Sequence, residues 1–318
     1  MPLLDSYKNA PIAVLGAGTI GMSWAALYAA RGHDVTVWDP RPGFAADLAR
    51  YVETAFASLR QLEQVVETPG TVVAVDSPEA AVAKALFVQE NAPERLEAKQ
   101  DLLRRIAPHL DPRALVASST SSIPPSLIQK GLPFAGRFLI GHPFNPPHLI
   151  PLVELVAGAE TDPETVEAAY RFYTELGRKP IRLKREALGH LANRLQAALW
   201  REAVHAVVSG LASLEDVDTC IAYGPGLRWA LMGQHMIFHL AGGPGGYGHF
   251  IDHLGPAFEN QWNDLRQPPL DAETRSRLTR EMDEAVGERN AADLAAERDR
   301  LLVELIGTLN RARAPHQQ

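Results

Sequence analysis

Ile12-Ala13-Val14-Leu15-Gly16-Ala17-Gly18-Thr19-Ile20-Gly21 runs from an apolar strand pattern into a Gly-x-Gly-x-x-Gly turn, and helical periodicity follows from Met22 to Arg31. The next apolar run, Val35-Thr36-Val37-Trp38, ends on Asp39, 18 residues after Gly21. A glycine triplet alone says little, but a strand before it, a helix after it and an acid closing the following strand together specify a dinucleotide site. Gly16 permits the tight turn, Gly18 lets backbone amides approach a pyrophosphate, and Gly21 allows close helix–strand packing. The helix N-terminus at Thr19 and Ile20 faces the phosphates with its partial positive charge. Asp39 is placed to accept hydrogen bonds from the ribose hydroxyls and to repel a 2′-phosphate, which favours NAD over NADP. Arg41, two positions on, could instead meet that phosphate, so NADP stays open at this point.

The same alternation continues outward. Strand-like runs appear at Val72–Val75, Leu86–Gln89, Ala114–Ala117 and Phe138–Gly141, with shorter ones at Leu152–Val156 and Pro180–Leu183. Helical periodicity lies between them at Phe44–Leu62, Arg95–Ile106 and Pro163–Leu176. Strand and helix in turn predict a parallel, doubly wound α/β sheet of Rossmann type. From about Ala187 the pattern changes to Leu188, Leu191, Leu195, Leu199, Ala203 and Val207 at helical spacing, with no further strand. The expectation is therefore an NAD-binding domain over 1–186 and an all-helical substrate-binding and dimerisation domain over 187–318. Gly224-Pro225-Gly226 and Gly242-Gly243-Pro244-Gly245-Gly246 read as breaks between helices. The charged helix from Ala291 to Arg313 is expected either to pack on its own domain or to form a dimer contact.

Composition narrows the function classes. The 318 residues carry 31 Lys+Arg against 38 Asp+Glu, a formal charge of −7, with no basic tract, so the footprint of a nucleic-acid binder is missing. One cysteine, Cys220, cannot form an internal disulfide, and neither a secretory pattern nor a membrane-length apolar run is present. A cytoplasmic protein with a small-molecule substrate is expected, without membrane or nucleic-acid partners and without a bound metal.

Two strand ends carry polar clusters: Ser118-Ser119-Thr120-Ser121-Ser122, and His142-Pro143-Phe144-Asn145-Pro146-Pro147. In open α/β sheets the carboxyl ends of the strands line the ligand crevice. Twelve residues past His142, Glu154 interrupts the apolar run Ile150–Val156. A carboxylate in an apolar strand needs a partner. His142 is the natural one, because a carboxylate on one ring nitrogen fixes the tautomer while the other nitrogen takes a proton from substrate.

With these strings the chain resembles the 3-hydroxyacyl-CoA dehydrogenases, in the branch that includes λ-crystallin, L-gulonate 3-dehydrogenase and L-carnitine 3-dehydrogenase. The resemblance spans nearly the whole chain. It rests on Gly16 to Gly21, Trp38-Asp39-Pro40, Glu90-Asn91-Ala92-Pro93-Glu94-Arg95 with Lys99, Ser118 to Ser122, Gly141 to Pro146 with Glu154, and Asn193-Arg194-Leu195. It implies a catalytic serine at Ser121, histidine at His142, glutamate at Glu154 and asparagine at Asn193. The implied reaction is oxidation of a secondary alcohol with NAD. Glu90 and Lys99 are similar to cofactor-side positions of the family, or form an ordinary solvated charge pair.

The helical half departs from the acyl-CoA enzymes and looks like the carnitine and gulonate branch at Gly224–Gly233, Leu240-Ala241-Gly242-Gly243 and Leu254-Gly255-Pro256-Ala257. There Arg228 could grip a substrate carboxylate, or serve as a surface arginine. Trp229, with Phe258 and Trp262, could face a quaternary ammonium, or belong to the helical core. His190 stands where the family commonly has a phenylalanine, and Asn260-Gln261 makes the Trp262 region more polar. The expected substrate is L-carnitine or another short 3-hydroxy acid. The alternatives are a 3-hydroxyacyl-CoA thioester, L-gulonate, or a nucleotide-binding structural protein of the λ-crystallin kind. A homodimer is expected.

Overall fold

Short aliphatic runs with both faces buried can exist only as inner strands of a covered sheet, and alternate residues of each run supply two separate cores. Ile12 and Val14 join one cluster with Trp24, Tyr28, Phe87, Leu115 and Phe172, while Ala13 and Leu15 join another with Val88, Leu103, Val116 and Phe138. A computed structural model describes residues 7–314. Its first part runs β1 (Ile12–Leu15), α1 (Thr19–Ala30), β2 (Val35–Trp38), α2 (Phe44–Gln61), β3 (Val72–Ala74), α3 (Pro78–Val82), β4 (Phe87–Glu90) and α4 (Leu96–Ile106). It continues with β5 (Leu115–Ser118), α5 (Pro125–Ile128), β6 (Phe138–Pro143), β7 (Leu152–Ala157), α6 (Pro163–Glu175) and β8 (Lys179–Arg182). Then come only helices: α7 (Ala192–Val208), α8 (Leu214–Tyr223), α9 (Pro225–Trp229), α10 (Gln234–Ala241), α11 (Gly246–Asp264), α12 (Ala272–Val286) and α13 (Ala291–Arg313).

The eight strands form one sheet in the order β3-β2-β1-β4-β5-β6-β7-β8. The strand order reverses beside β1, where a doubly wound sheet opens the crevice that takes a ligand. The fold class matches the sequence expectation with one correction. The sheet is not wholly parallel, because β7 runs antiparallel to β6. The physical reason is the connection: only Phe144–Pro151 separate the two strands, too few residues for the crossover that parallel neighbours require. Two short helices of this part were not anticipated, α5 and α3, the latter starting at Pro78 behind a Ser77 side chain that accepts from the Ala80 amide.

The chain divides into two compact units, one reaching Arg194 and resuming at Arg298, the other spanning Leu195–Glu297. The glycine-proline stretches are helix breaks, with Gly224 between α8 and α9 and Gly242–Gly246 between α10 and α11. Within the second unit Phe238 stacks on Phe250 with centroids 4.2 Å apart, and Phe258 tilts against both. The last helix corrects a second expectation: from Arg298 onward it packs with the first unit. Val303, with Leu302 and Ile306, closes a small cluster over Leu62 and Leu149. Among the described residues no helix is long and apolar enough to cross a membrane.

The glycine turn sets a tight packing constraint on the first unit. A Cβ on Gly21 would lie 1.8 Å from the Gly16 carbonyl oxygen, and one on Gly16 would lie 2.6 Å from the Asn91 carbonyl oxygen, both immovable backbone atoms. A Cβ on Gly18 would meet nothing within 4 Å. Gly21→Ala should therefore cost about 1–3 kcal/mol and lower the Tm by roughly 2–10 °C. Gly18→Ala should leave the Tm unchanged. Thermal unfolding followed by circular dichroism checks both, and equal effects of the two substitutions would contradict the packing argument.

Candidate active site

The cofactor cradle is built where β1 turns into α1. Gly18 is the N-cap of α1, no side chain caps the first turn, and that turn holds no acidic residue. Its amide groups are thus open to an anion, and the space over Gly18 is clear. At the end of β2, Asp39 accepts from the Ala17 amide at 2.7 Å through Oδ2. Its Oδ1 accepts from the Arg41 amide at 2.9 Å and Nε at 3.1 Å, while Arg41 Nη2 donates to the Ala17 carbonyl at 2.9 Å. Arg41 therefore lies folded against Asp39. Bare first-turn amides, clear space over the middle glycine and a carboxylate at the second strand end fit a dinucleotide without a 2′-phosphate.

Beside this turn stands the charged group at the end of β4. Glu90 and Lys99 are buried, and the Lys99 ammonium donates to Glu90 Oε1 at 3.0 Å, Oε2 at 3.2 Å and the Ala92 carbonyl at 2.9 Å. Glu90 also accepts from the Ala92 amide and the Ser118 hydroxyl. The pair is therefore no solvated face; it knits the ends of β4 and β5 to the start of α4. A buried ion pair of this kind survives only when its remaining hydrogen-bonding capacity is used, as here.

Sequence reasoning missed Glu94. Its Oε1 gathers the serine loop, accepting from Thr120 Oγ1 at 2.6 Å, Ser121 N at 3.0 Å, Ser122 N at 2.9 Å and Ser122 Oγ at 2.9 Å. Burial works against the anion, but these hydrogen bonds and the Lys99 charge hold the Glu94 carboxyl below its ordinary range. Its signal was present in the sequence, as an acid inside the stretch that contains Glu90 and Lys99. The half-buried Ser121 is consequently fixed by its backbone, while its hydroxyl lies 3.5 Å from Glu94 Oε1.

On the other side, the antiparallel register sets His142 directly opposite Glu154. His142 Nδ1 lies 2.8 Å from Glu154 Oε2, and both side chains are buried. Because a carboxylate only accepts, Nδ1 carries the hydrogen, and in the neutral ring Nε2 then bears the lone pair. The other oxygen, Oε1, accepts from Leu191 N at 2.9 Å and Ala192 N at 3.0 Å, where α7 begins. Desolvation opposes the Glu154 anion, yet the bonds from His142, Ala192 and Leu191 outweigh it and keep its pKa below normal. Asn193 follows at once, half-buried in the first turn of α7, and its side-chain amide makes no hydrogen bond among the described residues. One carboxylate thus joins His142 to the turn that carries Asn193.

A second histidine closes the group. His190 is buried, with its ring centroid 5.1 Å from that of His142, and its Nε2 lies 3.0 Å from the Thr120 carbonyl. It links the serine loop to the His142 side of the site. The turn after His142 is itself held from behind by Arg178, whose Nη1 donates to the Pro147 and His148 carbonyls and whose Nη2 donates to Gln64 Oε1 at 2.6 Å. Burial, together with the neighbouring Arg31, pushes the Arg178 guanidinium down to about 9.

Arg228 and Trp229 lie in the second unit, exposed on α9, where the Trp229 indole donates to Gln234 Oε1 at 2.6 Å. Phe258 belongs to the Phe238–Phe250 cluster and Trp262 is 66% exposed. Among the described residues no ring contact joins Trp229, Phe258 and Trp262 into a cage. Among the same residues no group of three His, Cys, Asp or Glu side chains is arranged to hold a metal.

The geometry agrees with the comparisons. Residues 11–187 match the NAD-binding domain of 3-hydroxyacyl-CoA dehydrogenase and residues 189–276 match the C-terminal domain of the same enzyme. L-carnitine dehydrogenase of Streptomyces coelicolor is 46% identical over 94% of this chain and 95% of its own. L-carnitine dehydrogenase of a Pseudomonas species is 40% identical over 99% and 98%. Among solved structures, 5-formyl-3-hydroxy-2-methylpyridine 4-carboxylic acid 5-dehydrogenase, described as an NAD-dependent dismutase, aligns over 95% of this chain and 98% of its own. Its TM-score is 0.83 and its identity 30%. (S)-3-hydroxybutyryl-CoA dehydrogenase from Ralstonia eutropha aligns over 68% and 78%, with TM-score 0.61 and 26% identity. A dinucleotide cradle at the strand reversal, a helical second half and matches at this level over nearly all of the chain lead to one conclusion: the protein is an NAD-dependent dehydrogenase of the 3-hydroxyacyl-CoA dehydrogenase family.

Proposed function

We propose that this dehydrogenase oxidises the 3-hydroxyl of a short, free 3-hydroxy acid, L-carnitine or a close analogue, to the 3-oxo acid, with His142 as the base. The observation that carries the reading is the buried His142–Glu154 pair at 2.8 Å, which leaves one imidazole lone pair unused. NAD, when bound, supplies the hydride acceptor. Nε2 of His142 takes the hydroxyl proton while Glu154 stays anionic and supports the imidazolium. The Ser121 hydroxyl and the Asn193 amide hold the substrate oxygen. Gly16, Gly18, Thr19, Ile20, Gly21 and Asp39 receive the cofactor, and Glu90 with Lys99 serve it by fixing Ala92 and Ser118 in place.

L-carnitine is the substrate named for relatives 46% and 40% identical over almost their whole length, which is the support for a free acid over a thioester. The assembly we assign is a cytoplasmic homodimer formed through the helical unit. There Leu195, Leu199 and Trp200 leave a run of α7 exposed at 66%, 39% and 54%.

Assays with NAD and L-carnitine, L-gulonate, 3-hydroxybutyrate or 3-hydroxybutyryl-CoA should show turnover of free acids, L-carnitine foremost; turnover confined to the thioester would exclude the reading. His142→Gln should lower kcat by about 10²–10⁴-fold while NAD affinity, read by fluorescence titration, stays near wild type. Retained turnover would remove His142 from the base role. With NADP, Asp39→Ala should raise kcat/KM relative to NAD roughly tenfold or more, because a like-charge contact worth several kcal/mol is removed and Arg41 is freed. An unchanged cofactor ratio would show that Asp39 does not set the preference.

A further inference from the structure

Two consecutive residues of the cofactor helix reach the two polar clusters of the site. Ser23 and Trp24 lie in the second turn of α1, just beyond the glycine cradle, and both are fully buried. The Ser23 hydroxyl accepts from the His148 amide at 2.9 Å and lies 2.8 Å from Nδ1 of the same residue. Burial pushes the His148 ring down to about 4, so it is uncharged at neutral pH. The Trp24 indole donates to the Ser119 hydroxyl at 3.2 Å. That hydroxyl also accepts from Gln89 Nε2 at 2.9 Å and donates to Asn91 Oδ1 at 2.7 Å, so its one donor and two acceptor positions are all used.

Neither His148 nor Ser119 can move alone. His148 sits six positions after His142, in the connection Phe144–Pro151. The Leu149 and Ile150 amides donate to the Pro146 carbonyl at 3.0 and 2.9 Å, and Arg178 Nη1 donates to the Pro147 and His148 carbonyls at 3.2 and 3.3 Å. A shift of His148 is thus passed to the end of the strand that bears His142. Ser119 stands two positions before Ser121, whose amide is bound by Glu94. Apolar packing, such as the stacking of Trp24 on Tyr28, holds a helix near its sheet without fixing how far it slides or turns. Satisfied buried hydrogen bonds do fix it.

We propose that Ser23 and Trp24 are positioning residues: through His148 and Ser119 they lock the His142 turn and the Ser121 loop to the helix that seats NAD. They act through those residues and hold the substrate-side groups at a set place relative to the cofactor cradle. A displacement of about 1 Å can cost on the order of 100-fold in rate, which is the leverage such bonds have. This rests on the reading of the protein as a 3-hydroxy acid dehydrogenase with His142 as base.

The test uses whichever of L-carnitine, L-gulonate and 3-hydroxybutyrate the wild type oxidises fastest with NAD. Single-turnover hydride transfer, followed by NADH absorbance with both ligands saturating and normalised to NAD-binding sites, should fall roughly tenfold or more in Ser23→Ala. The Kd for NADH alone should not change. A second readout involves no turnover: NADH fluorescence titrations with and without the same acid, a pair that cannot react. The acid should tighten NADH binding in the wild type, because each ligand helps to hold the same locked arrangement, and should do so less in Ser23→Ala. A residue that only supports the fold would lower the Tm and the number of NAD-binding sites while leaving the rate per site and the tightening at wild type, and that result overturns the proposal. So does the absence of tightening in the wild type.

If Ser23→Ala does not bind NAD, His148→Asn and His148→Leu decide. The asparagine amide takes the place of Nδ1 and should keep a faster hydride transfer than leucine; equal rates overturn the proposal. Trp24→Phe keeps the ring stacking, removes the indole N–H and should also slow the step, and an unchanged rate there removes Trp24 from the role. Oxidation of none of the three acids overturns the substrate reading, and this proposal falls with it.

Discussion

The pairing of β6 with β7 is the constraint on which the rest of the site depends. In an antiparallel ladder directly opposed residues have Cβ atoms about 4.5–5.5 Å apart, and the register places His142 opposite Glu154. A slip of one residue would send the carboxylate to the other face of the sheet, among side chains such as Val153 and Leu155 that belong to the aromatic core. A carboxylate buried there would have no partner. The register is thus protected by the same chemistry that it creates, because Glu154 is satisfied only where His142 Nδ1 and the Leu191 and Ala192 amides converge.

The second charged system, at the ends of β4 and β5, follows a different logic. Glu90 and Lys99 neutralise each other in the interior, and Glu94 gathers four hydrogen-bond donors from the serine loop at 3.0 Å or less. Neither carboxylate resembles Glu154, whose partner is an imidazole able to gain a proton. The two systems meet at Thr120: its hydroxyl is held by Glu94 and its carbonyl faces His190, which stands against His142. The loop carrying Ser121 is therefore positioned by charge on one side and by a histidine on the other.

Much of this was legible in the sequence because it is local. The glycine turn, Asp39 and the alternating strand residues announce themselves within a few positions, and the polar clusters at Ser118 and His142 stand at strand ends. Glu154 was legible too, since a carboxylate inside Ile150–Val156 has no other explanation than a partner. What escaped depends on long-range pairing. Glu94 gains its meaning only when β5 lies beside β4, Arg178 only when the turn after β6 folds over it, and His190 only when α7 begins on Glu154. The antiparallel β7 required counting the residues of the connection, and the docking of α13 from Arg298 onward depends on Leu62 and Leu149. Aromatic residues of the helical half misled in the opposite direction: spacing made Phe258 a ligand candidate, and packing makes it part of a core with Phe238 and Phe250.

The attachment of α7 to Glu154 also determines where a proton stops. A histidine–carboxylate pair could in principle pass the proton through the ring to the acid. Here two backbone amides at the start of a helix, where the helix dipole adds positive potential, bind the remaining oxygen and favour the anion. With its pKa held below the ordinary carboxylate value of 4.5, Glu154 remains charged throughout the neutral range, so in the reaction we propose the proton taken from the alcohol rests on His142. In that proposed reaction the pair changes from one buried negative charge to a neutral ion pair as the alcohol is oxidised. That change favours proton transfer at the moment when the substrate loses its hydride, and it requires no water in the buried site.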